Sequence, residues 1–290
     1  MIKKQEGYIL HEAAGDTISP VVFDNPHSGT VLPAHFKYAC SVRDLMELHD
    51  PHVEKLLVDI PATGSPVLEA LIHRTCIDLN RDESEIDPAT IIGGWNHPVK
   101  ITPYVTKGLG LFPLMAGPRI NRISPIYNQA ASLTTQEARL RIDGYYVPYY
   151  KTLDNLIDRA HKEHGTSLYI DMHSMGRQSR DGQADIILGD LYDQTCDGTI
   201  RLFVEEFFKD AGYSVDRNGK FFKGGALIEK TAAPANNRHS LQIEMARDLY
   251  MDQDTLAYDP ARGSKLQADL TRFAKEVRSF MVKQAAALKP

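Results

Sequence analysis

The stretch "SLYIDMHSMG", residues 167–176, joins an apolar run to an acid, Asp171, and an imidazole, His173. Its Leu, Tyr and Ile are typical of a buried β-strand. In open α/β sheets, ligands bind outside the carboxyl ends of the strands. One histidine in such a place is more often a core residue than a ligand, so its meaning depends on whether other strands of the chain end in the same way.

The segments around this strand alternate between strand and helix patterns. A long amphipathic helix is predicted over 134–165, with a kink at Pro148 and its end at Gly165. Further strands are predicted at 17–24, 66–79 and 184–190, strand-like segments at 225–230 and 239–251, and helices at 199–213 and 263–287. This alternation indicates a mainly parallel sheet between helices, in one domain over residues 1–290.

Two segments interrupt this regular pattern. A helical pattern over 41–60 has Ser41 as its N-cap and is expected to break at Pro51. From 82 to 128 the chain is rich in Pro, Gly and Asn and has little periodicity. A loop of that length inside a compact domain is usually either functional or disordered.

The composition excludes several classes of protein. Of 290 residues, 33 are Lys or Arg and 38 are Asp or Glu, which gives a net charge of −5 rather than the basic excess of a nucleic-acid binder. No run approaches the roughly 20 apolar residues of a membrane-spanning helix, and the N-terminal residues lack the apolar core of a secretory signal. Three scattered cysteines argue against a disulfide framework. We therefore expect a cytoplasmic protein that binds neither nucleic acid nor membrane.

Other predicted strand ends carry polar side chains of the same kind. His27 follows the first predicted strand in "FDNPHSG", and Glu244 lies in "LQIEM". Two histidines and a carboxylate are a usual ligand set of a catalytic zinc, so His27 and His173 are predicted ligands of one divalent metal. Ligand histidines usually place their second ring nitrogen on a carboxylate, and Asp24 and Asp171 are close enough in sequence to serve.

The carboxylate ligand has to come from another segment, because no acid stands three residues after His27. Asp50 in "ELHDPHVEKLL" is our candidate, since Pro51 interrupts the helix there and lets the carboxylate point out of it. Three neighbours compete for the same role: His49, His52 and Glu54. A solvated helix face with charges of both signs explains this segment about equally well.

Glu244 lies between Ile243 and Met245 in an apolar strand. A carboxylate at such a position needs a partner or a function, and burial would raise its pKa toward the range that suits a general base. The structural alternative is an ion pair with Arg247 or Arg238. A hydrolytic metal site needs a free carboxylate, which favours the functional interpretation.

Asn80 and Arg81 in "IDLNRDE" form a candidate recognition pair. The planar guanidinium of Arg81 matches a carboxylate, and Asn80 adds one donor and one acceptor. A surface ion pair between Arg81 and the acids that follow it is the alternative. Arg119 and Arg122, in the long loop, are further cations that could bind a carboxylate or an oxyanion.

With these residues in hand, the chain resembles the N-formylglutamate amidohydrolase family, which is related to zinc carboxypeptidases and to aspartoacylase-like deacylases. The matching pieces run in order from residue 26 to about 252 and are "PHSG", "DPHVEKL", "IDLNRDE", "DMHSM" and "LQIEMARDLYMD". The chain departs from the wider carboxypeptidase group at Thr30, where that group has a glutamate. It also has Pro51 where members that degrade histidine often have an aromatic residue.

The resemblance implies a phosphorylase/hydrolase-like three-layer α/β/α sandwich with a mainly parallel mixed sheet, and one divalent metal, zinc. It implies His27, Asp50 and His173 as metal ligands, Glu244 as the general base, and Asn80 with Arg81 as the substrate clamp. Our own expectation, from the cations of the long loop, is that Arg119 or Arg122 helps to polarise the scissile carbonyl. The implied reaction is hydrolysis of N-formyl-L-glutamate to formate and L-glutamate. Two alternatives stay open: a zinc deacylase or carboxypeptidase for another N-acyl amino acid or short peptide, and a non-catalytic protein that binds acyl amino acids.

Overall fold

The computed structural model describes residues 2–34, 36–116, 124–127, 133–177, 182–219 and 222–288. Within them the strands are β1 (Ile2–Lys4), β2 (Tyr8–His11), β3 (Val21–Asn25), β4 (Val67–Ala70), β5 (Ile91–Ile92), β6 (Met115–Ala116), β7 (Ser124–Pro125), β8 (Leu133–Thr134), β9 (Ser167–Met175), β10 (Ile186–Gly189), β11 (Val215–Arg217) and β12 (Arg238–Ala246). The helices are α1 (Val42–Leu48), α2 (Val53–Leu56), α3 (Pro103–Thr106), α4 (Thr135–Arg141), α5 (Val147–His164), α6 (Gly198–Asp210), α7 (Ala226–Thr231) and α8 (Pro260–Ala287).

The main sheet of the described chain has eight strands in the order β1-β2-β4-β3-β9-β12-β10-β11. The neighbours β4 and β3, β3 and β9, β9 and β12, and β10 and β11 run parallel. The pairs β1–β2, β2–β4 and β12–β10 are antiparallel, so the sheet is mixed. Because parallel strands end at the same edge, the sheet brings the carboxyl ends of β3, β9 and β12 together.

Helices cover both faces of this sheet. Side chains alternate between the faces along a strand, so Val22 packs with Tyr149 of α5, whereas Phe23 packs with Phe273 of α8. The result is the predicted three-layer α/β/α sandwich. Across the described ranges, every helix is too short or too polar to cross a lipid bilayer.

The helix predicted over 41–60 is interrupted as expected. The Ser41 hydroxyl caps α1 by accepting a hydrogen bond from the Asp44 amide at 3.1 Å. The helix ends at Leu48, and Pro51 lies in the turn before α2 begins. This interruption leaves Asp50 outside regular helix, where its side chain is free to face the sheet.

The long helix predicted over 134–165 is also present. It consists of α4, a π-helical turn over Ile142–Tyr146 and α5. Pro148 lies in the first turn of α5, where a missing amide costs little. Gly165 ends the helix in the left-handed conformation, with φ of 70°.

Two predictions of local structure are wrong. Residues 225–230, predicted as strand-like, form most of α7, whose Leu227 amide donates to the side-chain oxygen of Asn80 at 3.0 Å. Of residues 66–79, only Val67–Ala70 is a strand. The chain then leaves the sheet in a turn in which the Thr75 amide donates to the ring of His73 at 3.1 Å.

Candidate metal centre

Strand register places polar side chains from three strands on one face of the sheet. Asp24 of β3 pairs with Asp171 of β9, which pairs with Gln242 of β12. Two residues further along, His173 pairs with Glu244. Directly paired residues point to the same face, here the face covered by α5. Alternate residues of these strands, among them Phe23, Ile170 and Ile243, are apolar and pack on the α8 side.

Three of the predicted side chains meet at this edge: His27 after β3, His173 in β9, and Asp50 from the turn between α1 and α2. The Nδ1 atoms of the two histidines are 3.1 Å apart. Oδ2 of Asp50 lies 3.0 Å from Nδ1 of His173 and 3.7 Å from Nδ1 of His27. All three residues are buried, and together they could hold a metal ion.

The spacing of these atoms could accommodate a divalent metal ion of the size of zinc. Zinc bonds of about 2.0–2.1 Å in a tetrahedron separate neighbouring ligand atoms by about 3.3–3.4 Å. The three separations, 3.0, 3.1 and 3.7 Å, bracket that distance. Two imidazole nitrogens facing each other can share only one proton, whereas a cation would use both lone pairs. Two imidazoles with one carboxylate also leave a fourth position for water or substrate.

A carboxylate oxygen lies close to the Nε2 atom of each histidine, on the side of the ring away from the candidate metal position. Nε2 of His27 lies 2.7 Å from Oδ1 of Asp78, and Nε2 of His173 lies 2.7 Å from Oδ1 of Asp171. A carboxylate on Nε2 fixes the proton there and leaves Nδ1 free to bind a metal. The hydrogen bond with Asp78 therefore favours, for His27, the tautomer that a metal site requires. Nε2 of His173 lies at ion-pair distance from Asp171.

The expectation that Asp24 holds His27 is wrong. Asp24 points out of the sheet toward α5, where its Oδ2 accepts a hydrogen bond from the Tyr149 hydroxyl at 2.7 Å. The ring of His27 instead contacts Asp78, which lies in the segment that follows β4. The expectation for Asp171, by contrast, agrees with its contact to His173.

Two arginines anchor two of the carboxylates of the site, those of Asp50 and Asp78. Nη2 of Arg247 donates to Oδ1 of Asp50 at 3.2 Å and to the carbonyl of His49 at 2.5 Å. Arg74 donates to Oδ2 of Asp78 from Nη2 at 2.6 Å and from Nε at 3.2 Å. Each carboxylate thus has one oxygen on an arginine and the other on a histidine, which fixes its orientation.

The buried charges shift one another's protonation. Burial raises the pKa of Asp50, but hydrogen bonds from His173 and His27 outweigh it and hold that pKa well below its usual range. Burial lowers the pKa of His173, but the charge and hydrogen bond of Asp171 raise it well above its usual range. Carboxylates that draw a proton onto His173 would also attract a metal cation.

Glu244 lies beside His173 on the adjacent strand and is buried. One of its oxygens accepts a hydrogen bond from Nε2 of Gln242 at 2.9 Å. Burial raises the pKa of Glu244 to about 7. Arg238 and Arg247, the structural partners considered for it, pair with other carboxylates. Glu244 therefore has the pKa of a group that can exchange a proton near neutral pH.

Asn80 reaches the site with its side-chain amide. Its Nδ2 donates to Oδ2 of Asp171 at 3.2 Å and lies 3.0 Å from Nε2 of His173. Its oxygen accepts the hydrogen bond from Leu227 at the start of α7. Both ends of the side-chain amide thus contact the chain itself. Asn80 connects the start of α7 to Asp171 and His173.

Two backbone carbonyls and an aromatic ring contact the guanidinium of Arg81. Nε donates to the carbonyl of Leu109 and Nη1 to the carbonyl of Asn80, both at 2.9 Å. The guanidinium carbon lies 4.0 Å from the centre of the Tyr104 ring. These contacts fix the plane of the guanidinium. The other two predicted substrate contacts, Arg119 and Arg122, lie outside the described residues.

The three competitors of Asp50 point elsewhere. The ring nitrogens of His49 and His52 contact backbone carbonyls, of Met46 and Leu256 respectively. Glu54, in α2, lines a cavity on the α8 side of the sheet. Of the four candidates in this segment, Asp50 is the one that joins the two histidines.

The family model for N-formylglutamate amidohydrolase matches residues 19–251, a range that contains the whole of this site. The chain belongs to the N-formylglutamate amidohydrolase family. Among its relatives, N-formylglutamate deformylase from Pseudomonas putida is 27% identical over 241 residues, which cover 81% of this chain and 82% of the relative. N-formylglutamate deformylase from Pseudomonas aeruginosa is 28% identical over 243 residues, covering 81% and 83%.

Solved structures share the fold of this family member. The crystal structure of N-formylglutamate amidohydrolase from Ralstonia eutropha JMP134 is 32% identical, covers 96% of this chain and 99% of its own, and has a TM-score of 0.88. A structure from Agrobacterium tumefaciens, 15% identical with a TM-score of 0.65, shows the same fold. The α/β/α sandwich is therefore common to this chain and to a second member of the N-formylglutamate amidohydrolase family.

Sequence reasoning missed Asp78 and Arg74 and considered Arg247 only as a partner of Glu244. Asp78 stands two residues before Asn80 in "IDLNRDE", so the segment that carries the family resemblance also carries this acid. Its partner, His27, is 51 residues away along the chain. An acid inside the quoted motif was the available signal, but only the folded chain shows which histidine it holds.

Proposed function

We propose that this family member hydrolyses N-formyl-L-glutamate to formate and L-glutamate with one divalent metal. The observation that carries the proposal is the group formed by His27, Asp50 and His173, whose facing atoms are 3.0–3.7 Å apart, with Glu244 beside it. The two Pseudomonas relatives, both named N-formylglutamate deformylase, support the choice of substrate.

Zinc is the proposed metal, with His27, Asp50 and His173 as its ligands. Imidazole nitrogens and a carboxylate suit zinc. When bound, the ion would supply Lewis-acid chemistry, making a water molecule more acidic and polarising the formyl carbonyl. The contribution of the chain is to keep Nδ1 of His27 unprotonated, because Asp78 holds the proton of that ring on Nε2, and to place the carboxylate of Asp171 2.7 Å from Nε2 of His173.

Glu244 is the proposed general base. Its carboxylate takes a proton from the attacking water and returns it to the amide nitrogen as the C–N bond breaks, so that formate and glutamate leave. A pKa of about 7 lets the group act in both directions near neutral pH. Gln242, which donates to one carboxylate oxygen at 2.9 Å, would keep the group oriented during this transfer.

Substrate contacts are proposed for Asn80, Arg81, Arg119 and Arg122. Arg81 has the strongest support, because two backbone carbonyls and an aromatic ring fix its guanidinium, and a fixed fork suits a carboxylate of the substrate. Asn80 would have to exchange one of its present hydrogen bonds to reach the substrate. Arg119 and Arg122 would oppose the negative charge that develops on the formyl oxygen.

We also propose that residues 1–290 act as one catalytic domain in the cytoplasm. Support for one domain comes from the site itself, which takes side chains from β9, β12 and the segments after β3 and β4 of a single sheet. Support for the compartment comes from the three free cysteines, which suit reducing surroundings: Cys40, Cys76 and Cys196.

The test is formate release from N-formyl-L-glutamate by the purified chain. Parallel assays with N-acetyl-L-glutamate and a glutamate-terminated dipeptide address the deacylase and carboxypeptidase alternatives. The proposal predicts the highest kcat/KM for the formyl substrate, because a compact acyl group has to fit beside the metal ligands. If either of the other two compounds gave a higher kcat/KM, that compound and not N-formyl-L-glutamate would be the preferred substrate.

The Glu244→Gln variant distinguishes the proposal of an enzyme from the alternative of a protein that only binds acyl amino acids. Loss of the base should lower kcat by about 10²–10⁴-fold, while the substrate Kd from isothermal titration stays close to that of the wild type. Glu276→Gln, at an exposed position of α8, is the matched control and should leave kcat unchanged. Substrate binding without turnover in the wild type would favour the binding protein.

A further inference from the structure

Arg81 differs from the two arginines that anchor Asp50 and Asp78. Every guanidinium nitrogen of Arg74 donates to Asp78 or to a backbone carbonyl. Every guanidinium nitrogen of Arg247 likewise donates to the chain. In Arg81, Nε and Nη1 donate to backbone carbonyls, whereas Nη2 has no hydrogen-bond partner among the described residues. Nη2 carries two of the five N–H donors of a guanidinium, so it can offer both to a ligand.

The short helix α3 and the turn after it hold the rest of this side chain. The guanidinium carbon of Arg81 lies over the ring of Tyr104, 4.0 Å from the ring centre. The carbonyl of Leu109, which accepts from Nε of Arg81, belongs to the same turn, because the Leu109 amide donates to the Tyr104 carbonyl at 2.8 Å. The guanidinium is thus contacted on its face by Tyr104 and on its edge by Leu109, and its plane depends on both.

Glu85 connects this helix to the residue that follows Arg81. One of its carboxylate oxygens accepts from the Asp82 amide at 2.8 Å, and the other accepts from the Thr102 hydroxyl at 2.7 Å. Thr102 is the N-cap of α3, since its hydroxyl also accepts from the Val105 amide at 3.3 Å. Glu85 is buried, and a buried carboxylate with both oxygens hydrogen-bonded holds its partners in place. The position of α3 relative to the arginine is therefore fixed.

We propose that Tyr104 is a positioning residue, whose ring orients the guanidinium of Arg81 before a substrate carboxylate arrives. The inference rests on the proposed function, in which Arg81 binds a carboxylate of N-formyl-L-glutamate. Arg81 follows Asn80, whose amide nitrogen lies 3.0 Å from Nε2 of His173, so the oriented guanidinium belongs to the candidate site. A planar fork that is held in advance loses less conformational freedom on binding. Tyr104 should therefore affect KM and leave the proton transfer by Glu244 unchanged.

Steady-state formate release separates this role from a structural one. Tyr104→Leu removes the aromatic face, so KM for N-formyl-L-glutamate should rise by about three- to tenfold while kcat stays within about 1.5-fold of the wild type. Tyr104→Phe keeps the ring and should restore the wild-type KM. In the Arg81→Met background, Tyr104→Leu should change KM by less than about 1.5-fold, because the guanidinium that the ring orients is gone.

Tyr213→Leu is the matched control. Tyr213 also faces a cation, with Nζ of Lys265 4.5 Å from its ring centre, but it lies just before β11, an edge strand of the sheet. Tyr213 is buried and Tyr104 is partly exposed, so the control should lower the free energy of unfolding more and yet leave KM unchanged. Tyr104→Gln, a polar residue suited to a partly exposed position, should raise KM like Tyr104→Leu and replaces it if that variant folds poorly.

Binding of glutarate, a five-carbon dicarboxylate without an amide bond, tests the same role without turnover. In isothermal titration of the purified chain, Tyr104→Leu should raise the Kd for glutarate by about three- to tenfold, and Tyr104→Phe should leave it unchanged. A wild type that binds glutarate with this dependence but releases no formate would end the proposed function and leave the positioning role standing.

Other outcomes count against Tyr104 itself. If the wild type releases formate and Tyr104→Leu has the same KM, the positioning role is wrong and the proposed function stands. The same holds if KM rises equally in Tyr104→Phe, or equally when Tyr104→Leu is added to Arg81→Met. If the wild type neither releases formate nor binds glutarate up to about 10 mM, both proposals are wrong.

Discussion

Replacement of Asp78 by asparagine should weaken both the folded state and the candidate metal centre. The carboxylate of Asp78 joins two buried groups, with Oδ1 2.7 Å from Nε2 of His27 and Oδ2 2.6 Å from Nη2 of Arg74. Burial raises the pKa of Asp78, but the charges of Arg74 and His27 outweigh it, so that the pKa lies well below its usual range. Asparagine keeps one acceptor oxygen but removes the charge that both neighbours use.

The two contacts give the size of the effect. Removing one partner of a buried ion pair costs about 3–5 kcal/mol, and the side chain of Arg74 is 17% exposed, so we expect the lower end, about 3 kcal/mol. Losing the carboxylate behind a metal-binding histidine lowers metal affinity about 10–100-fold. That range corresponds to about 1.4–2.8 kcal/mol of binding free energy.

Urea unfolding of the metal-free protein measures the first quantity, and competition with a chromophoric chelator measures zinc affinity. Asp158→Asn is the control, because Asp158 also pairs with an arginine at 2.7 Å but its side chain is 61% exposed. Such a surface pair contributes less than about 1 kcal/mol and lies away from the site. If Asp78→Asn matched Asp158→Asn within about 0.5 kcal/mol in both measurements, the role assigned to Asp78 would be refuted.

Other predictions concern the substrate contact, the packing around the site and the pH dependence of stability. Arg81→Met should raise KM for N-formyl-L-glutamate by at least about tenfold, and an unchanged KM would remove Arg81 from the substrate contacts. Gly225→Ala should lower the free energy of unfolding by about 1–3 kcal/mol, because the new Cβ would lie 2.3 Å from Oδ1 of Asn80. Gly144→Ala, whose new Cβ would have no atom of the described residues within 4 Å, should not. Burial lowers the pKa of His73 to about 3, so the neutral ring stabilises the fold above about pH 6.5 and this contribution is lost as pH falls toward 3. Urea unfolding between about pH 6 and pH 4 measures this. Per pH unit, the free energy of unfolding of His73→Gln should fall by about 1.4 kcal/mol less than that of the wild type, and equal slopes of this free energy against pH would contradict the prediction.

The features predicted correctly from the sequence depend on local physics. Proline cannot continue a helix, so Pro51 marked the interruption that exposes Asp50 to the sheet. Alternation of strands and helices indicated a parallel sheet, and parallel strands end together, which is why His27 and His173 were expected at one edge. Sequence alone could not choose between Asp50 and its three neighbours, because that choice depends on where the turn after α1 places each side chain.

The features that were missed depend on contacts between distant segments. Residues 225–230 contain both helix-forming and β-branched residues, and the contact from Asn80 to the Leu227 amide, 147 positions apart, anchors the helix there. Asp24 was expected behind His27 because it is near in sequence, yet the alternation of side chains along β3 directs it to α5. Asp78, which does hold His27, comes from a separate turn. Proximity in sequence was a poor guide to these contacts.

The central claim is that a metal held by His27, Asp50 and His173 is required to hydrolyse N-formyl-L-glutamate. The most direct measurement is formate release by one protein sample as purified, after metal removal with a chelator, and after zinc is added back. The account predicts that formate release disappears when the metal is removed and returns when about one zinc per chain is added back. The His173→Asn variant should show no return of formate release after zinc is added. Full formate release by metal-free protein, verified by elemental analysis, would contradict it.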